Sequence, residues 1–236
     1  MTSTLDATAQ RVLAALATVR DPELDEPITA LGFVASCTVV DGHAEVGLRL
    51  PTYFCAPNFA FLMVADAYDA VSATMGVVSA TVTLLEHFAS ETINAGVAAR
   101  AGFAASFAGE AVDELDSLRA DFLRKAVLAG TDVVCRPLLA AGTTPAVLAS
   151  LTMGEVPESA DLARLRRRRA ELGLPEGATA PLVIDPVTGG AVGVDGLPLH
   201  LRKARLTKVG IEANTGICRG MLRHRYTTDG EGEEQR

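Results

Sequence analysis

The feature that most constrains this 236-residue chain is the pair Asp41-Gly42, set between two apolar, β-branched runs at residues 33–40 and 44–50. Asp-Gly adopts the positive φ angles of a tight hairpin turn at little cost, so this spacing predicts two antiparallel strands. Helical periodicity flanks the hairpin. Before it, residues 6–19 place Val12, Leu13, Leu16 and Val19 at helical spacing, and Asp21-Pro22 stops the run. After it, residues 57–75 place Phe61, Val64, Ala65, Tyr68 and Val71 on one face, and Gly76 ends the helix. Residues 77–85 (VVSATVTLL) then predict a third strand. Helix, hairpin, helix and strand form a small α/β (α+β) unit within residues 1–88, with the helices free to cover one sheet face.

Residues 89–228 read as an α-rich extension of no recognised family. Residues 91–107 are weakly helical, and residues 110–129 form a better helix with Val112, Leu115, Leu118, Phe122 and Val127 on one side. Thr144-Pro145 pairs an N-cap with Pro at the first helical position, opening a short helix through Leu151. A further helix spans residues 159–172. A short β-hairpin joins 182–185 to 191–194 through Pro186-Val187-Thr188-Gly189-Gly190. Residues 229–236 form an acidic tail with the composition of a disordered segment.

Half the residues are hydrophobic, but only 5% are aromatic and Trp is absent, so the core must be built of Ala, Val and Leu. A net charge of −8 argues against broad nucleic-acid or anionic-membrane binding. That charge is unevenly spread: −9 over residues 1–153, +4 over 154–228 and −3 in the tail, a pattern suited to protein partners. The longest uncharged run, residues 137–154, contains Pro137, Gly142 and Pro145 and reads as loop plus short helix, not as a membrane span. The N-terminus lacks an apolar signal core, and four scattered cysteines without a CxxC pair point to a reducing cytoplasm. No GxxxxGK[ST], dinucleotide fingerprint, GxSxG or HExxH pattern is present, so neither a nucleotide enzyme nor a hydrolase is expected.

Chemistry centres on Cys55, in Pro51-Thr52-Tyr53-Phe54-Cys55-Ala56-Pro57, where a strand ends and a helix begins. A thiol there meets the positive end of the helix dipole and unpaired N–H groups, which favour thiolate. The alternative is a small apolar filler. Asp21-Pro22-Glu23-Leu24 either ligates metal, orients a partner, or is a turn with solvated charges. Glu86-His87 is either a surface pair or part of a metal site. Cys37 and Cys135 read as structural. Cys218, in the glycine-flanked, basic segment Asn214–Gly220, is expected in a loop where its pKa could fall. Arg166–Arg169 read either as a solvated helix face or as a surface for an acidic partner.

DPEL at Asp21–Leu24, Ile28, Leu31-Gly32-Phe33-Val34, the Asp-Gly hairpin and PTYFC before a helix resemble, in order and spacing, the metal–sulfur (iron–sulfur) cluster assembly domain. The resemblance covers about residues 8–88, and PTYFC is most similar to the PaaD-like branch. It implies a maturation factor rather than an enzyme, with Cys55 as the reactive thiol, Asp21 and Glu23 as the acidic motif, and Thr52 as the threonine before the cysteine. The family's Gly-Cys-Pro is here Phe54-Cys55-Ala56-Pro57. The implied cargo is iron or an iron–sulfur cluster, held transiently. A cluster takes four thiolate-type ligands, so one Cys55 needs a homodimer, a partner's ligands, or donors such as Cys218, His87 and Glu86. The implied partner is a client metalloenzyme, possible clients being bacterial multicomponent di-iron oxygenases. A metal-free adaptor or chaperone for an oxygenase subunit is the alternative, and a thiol enzyme using Cys55 or Cys218 a third reading.

Overall fold

The computed structural model describes residues 2–109, 111 and 115–227, with side chains from residue 7 to 226. The chain divides into two compact units: residues 1–115 with 214–236, and residues 116–213. The first unit therefore extends beyond the boundary at residue 88 expected from sequence, and it includes a segment from the far end of the chain.

In the first unit, α1 (Thr2–Leu16) leads to a one-turn α2 (Ile28–Leu31), then β1 (Val34–Val40) and β2 (His43–Leu48). The expected hairpin forms: β1 and β2 pair antiparallel from Val40↔His43 to Val34↔Leu48, with a bulge near Ser36. Asp41 (φ 50°) and Gly42 (φ 80°) both take the left-handed conformation that the turn needs. Gly42 is further required by space, since a Cβ there would sit 2.9 Å from Val78 Cγ2. α3 (Pro57–Ser72) then crosses over to β3 (Ser79–Leu84), which pairs parallel to β2. A parallel partner requires such a helical crossover. The sheet order is β1-β2-β3. Ala44, Val46 and Leu48 of β2 and Val82 and Leu84 of β3 turn into a core closed by Val12 and Leu16 of α1 and Phe61, Val64 and Val71 of α3. Aliphatic burial of this kind stabilises by about 25 cal/mol per Å² of apolar surface removed from water.

α4 (Ser90–Ala98) and α5 (Phe103–Ser106) complete this stretch. Asn94 of α4 places its side-chain amide against both the N–H and the C=O of Leu84, pairing backbone groups at the end of β3.

The second unit contains α6 (Asp116–Ala140), α7 (Pro145–Ser150) and α8 (Ala160–Glu171). Thr144 caps α7 as the sequence predicts, and Ser159 caps α8. The expected start of α6 near residue 110 falls partly on residues outside those described. Its end is a correction: Pro137 lies inside α6 rather than opening a loop. It sits in the last turn, where the helix loses one hydrogen bond without being propagated further. The 182–194 segment turns back as expected but pairs through a single bridge, Ile184↔Ala191, held by Asp185 N–H to Gly190 O and Val192 N–H to Val183 O. Asp185 Oδ1 accepts from Val187 and Thr188 N–H within the turn.

Arg169 corrects the expectation of a solvated arginine face. It is fully buried, and its guanidinium donates to the carbonyls of Pro175, Pro181 and Leu182. Arg168 is buried too, against Glu171. Burial lowers the Arg169 pKa to about 10, still well above neutrality. Backbone N–H groups pair the carbonyls of Gly177, Ala178 and Ala180, while Arg169 satisfies those of Pro175, Pro181 and Leu182 from the core side.

The last helix, α9 (Leu197–Thr227), is absent from the sequence reading, which placed 214–220 in a loop. Its residues 197–213 are counted with the second unit and 214–227 with the first. The tail expected at 229–236 lies outside the described residues. Among the described residues, no helix is long and apolar enough to cross a membrane.

Candidate functional site

Strand β2 ends at Leu48, and the buried pair Leu50-Pro51 turns the chain into the loop that carries Thr52 and Cys55. Cys55 directly precedes Ala56, the N-cap of α3, with Pro57 at the first helical position. The thiol thus stands at the strand–helix junction expected from the sequence. Thr52 Oγ1 lies 3.1 Å from Cys55 Sγ, within hydrogen-bonding distance.

His87 holds this loop from behind. Its Nε2–H donates to the Cys55 carbonyl at 2.7 Å, and its Nδ1 accepts from Ala89 N–H at 3.2 Å. Burial pushes the His87 pKa down, in keeping with this neutral tautomer. Phe88 N–H also bonds to the Tyr53 carbonyl. His87 is therefore a buried strut, and both ring nitrogens are spent on backbone groups. At 3% exposure it does not form the surface pair with Glu86 that the sequence offers as one reading. Glu86 instead meets Arg225, which bonds its carboxylate and carbonyl and also the Leu50 carbonyl.

The acidic motif forms a closed loop. Asp21 Oδ1 accepts from Glu23 and Leu24 N–H at 2.9 and 2.8 Å, while its N–H bonds to the Glu26 carbonyl. Asp21 is only 7% exposed. Burial raises its pKa to about 6, more than the two N–H donors lower it, and the nearby Glu23 charge adds to the rise. Neither the solvated turn nor full exposure applies to Asp21. Glu23 Oε1 accepts from Asn214 on α9.

The end of α9 is fixed to this unit by Asn214 on Glu23, Arg219 near Glu26 (3.9 Å), buried Leu222, and Arg225 on Leu50 and Glu86. Between these anchors stands Cys218, half-buried. Its basic sequence neighbours do not lower its pKa. Burial, followed by the charges of Asp21, Cys55 and Glu23, raises it to about 11.

A cavity of about 250 Å³ unites these parts. Asp21, Glu23, Cys55 and Cys218 all line it, and its other walls include Leu24, Phe33, Leu50 and Met63. Thr52 reaches it through Cys55. Cys37 and Cys135 lie elsewhere, with thiols pushed up by burial, Cys135 to about 12, as structural cysteines should be. Among the described residues, no three His, Cys, Asp or Glu side chains form a group that could hold a metal ion by itself. The site offers two soft sulfur donors in a negatively charged recess, suited to a thiophilic cation, with coordination left for a further molecule to complete. Sequence reasoning named Asp21, Glu23, Thr52, Cys55 and Cys218 and offered Cys218 as a donor beside Cys55, but set it in a loop because it did not predict α9.

No curated protein and no solved structure matches the chain significantly. Residues 9–83 match the model of a family described as iron-sulfur cluster assembly protein. The match runs from α1 into β3, takes in Asp21, Glu23, Thr52 and Cys55, and stops short of Glu86, His87 and Cys218. A sheet with its helices, a thiol at the β2–α3 junction and a buried acidic loop all fall inside it, so residues 9–83 of this chain are similar to the iron–sulfur cluster assembly protein family.

Proposed function

We propose that the protein is a maturation factor that carries iron or an iron–sulfur unit on Cys55 and passes it to a client metalloenzyme, without being an enzyme of metabolism itself. The observation that supports this most is the position of Cys55, inside the family match and on the wall of a cavity shared with Asp21 and Glu23. The cargo is a substrate that arrives and leaves, and an incomplete ligand set serves release better than a closed four-ligand site would. Tyr53, Phe54 and Phe88 stand exposed beside the Cys55 loop, as apolar contacts for the protein that receives the cargo. The extension beyond the matched domain selects that client, and the PTYFC motif points to a bacterial multicomponent di-iron oxygenase.

The test loads the full chain anaerobically with ferrous iron and sulfide and mixes it with an apo-ferredoxin as acceptor. Transfer is expected from the wild type and lost with Cys55→Ala. Equal transfer by the two proteins overturns the role of Cys55. Co-expression with a di-iron hydroxylase tests the client class, and unchanged hydroxylase iron content in the absence of the factor rejects it.

A further inference from the structure

Cys218 lies outside the family match, on a helix that is not predicted from sequence, yet it lines the same cavity as Cys55. Two explanations that need no ligand fit it poorly. A space-filling cysteine belongs in a packed core, as Cys135 does, but Cys218 is half-buried and borders a cavity of about 250 Å³. A nucleophilic cysteine needs surroundings that stabilise thiolate, whereas Cys218 is half-buried with the carboxylates of Asp21 and Glu23 on the same cavity wall. The same surroundings attract a cation. A divalent metal ion reverses the local electrostatics and draws the proton off a coordinating thiol.

We propose that Cys55 and Cys218 form a two-thiolate site for a thiophilic divalent cation, with Asp21 and Glu23 supplying negative charge around it. Resting on the cargo reading above, this identifies the cargo-bearing atoms as a pair of sulfurs from one chain and the cargo as a divalent ion such as ferrous iron. The step is a ligand exchange without electron transfer. One cation binds two thiols, forms two metal–sulfur bonds and releases two protons to water. The two thiolates neutralise the ion's charge, and its remaining positions hold water until the acceptor's ligands replace it. α9 is what makes the site: Asn214, Arg219, Leu222 and Arg225 anchor the helix on both sides of Cys218.

The experiment titrates the full, reduced chain with Co(II) under anaerobic conditions, following thiolate-to-cobalt charge-transfer absorption. Alkylation of each cysteine, with and without metal, is read in parallel by mass spectrometry. The wild type is expected to bind one Co(II) and to protect both Cys55 and Cys218. Cys218→Ser and Cys218→Ala are expected to halve the absorption and weaken binding at least about tenfold, with far-UV circular dichroism and melting unchanged. Because the protection measurement uses the wild type, it does not depend on how the variants fold. Wild-type binding by Cys218→Ser, or an unprotected Cys218, overturns the paired site; if Cys55→Ala still abolishes the signal, the cargo role of Cys55 stands alone. No charge-transfer band in the wild type overturns both.

Discussion

The two units treat buried polarity in opposite ways. In the second, Arg169 is sealed in the core and its charge is spent on the carbonyls of Pro175, Pro181 and Leu182. In the first, Asp21, Glu23, Cys55 and Cys218 border an open volume, and burial, with neighbouring charge adding to it, raises the pKa values of Asp21 and Cys218. A buried charge that donates to several carbonyls is a structural tie, since removing it strands its partners. Carboxylates and thiols gathered on the wall of a cavity face a volume that a ligand can enter, whatever hydrogen bonds hold them in place. Both units contain a cysteine near charge, but among the described residues the cavity shared by two cysteines and two carboxylates lies in the first.

The largest effect expected from this contrast is at Arg169. Arg169→Ala leaves buried carbonyls without donors and opens a cavity among Met153, Leu165 and Leu182, for a loss of about 3–5 kcal/mol in urea denaturation. Hydrogen exchange should localise the loss to residues 151–184. Cys218→Ser, by contrast, should stay within about 1 kcal/mol of wild type. Similar losses from both substitutions would erase the distinction between tie and site.

Next is the pH dependence of Asp21. Its folded pKa of about 6 stands above the ordinary 3.8, so the native state holds a proton that the unfolded chain has released between those values. Stability from this group is therefore present below about pH 4 and declines as pH rises towards 6, by up to about 3 kcal/mol. Asp21→Asn keeps an oxygen for the Glu23 and Leu24 N–H groups and removes the titration. The variant should gain on wild type between pH 4 and 6 and keep the gain at pH 7. A stability difference that does not change with pH would show that Asp21 is not penalised by burial.

These effects also show which parts of the molecule local sequence reveals. The hairpin was legible because Asp41-Gly42 demands positive φ whatever surrounds it, and α3 because Pro57 starts it and one apolar face runs through Phe61, Val64 and Val71. The junction between them placed Cys55 correctly. α9 was hidden: Pro198, Gly210, Gly216 and Gly220 read as breakers, while exposed Leu206, Val209 and Ile217 blur any single apolar stripe. Its helical state is set by tertiary anchors such as Leu222 and Arg225, and no local signal announces those. The run Arg166–Arg169 was misleading for the same reason. Four identical residues differ in burial because the carbonyls of Pro181 and Leu182 draw Arg169 inward and Glu171 holds Arg168, while Arg167 stays exposed. Half of the site was therefore readable, namely the half carried by the β2–α3 loop and the acidic turn.

The smallest expected effect lies within that readable half and separates positioning from bulk. Thr52 places its hydroxyl 3.1 Å from Cys55 Sγ, and His87 fixes the Cys55 carbonyl from the other side, so the sulfur is aimed by two contacts of different kinds. Thr52→Val keeps the β-branched shape and removes only the hydroxyl. One neutral hydrogen bond contributes about 1 kcal/mol, which as a loss of orientation predicts a roughly fivefold weaker Co(II) affinity with an unchanged melting curve. Thr52→Ser, which restores the hydroxyl, should recover most of the affinity. If Val and Ser variants bind equally, the hydroxyl contributes nothing to the sulfur's placement, and the orientation of Cys55 rests on His87 and the start of α3 alone.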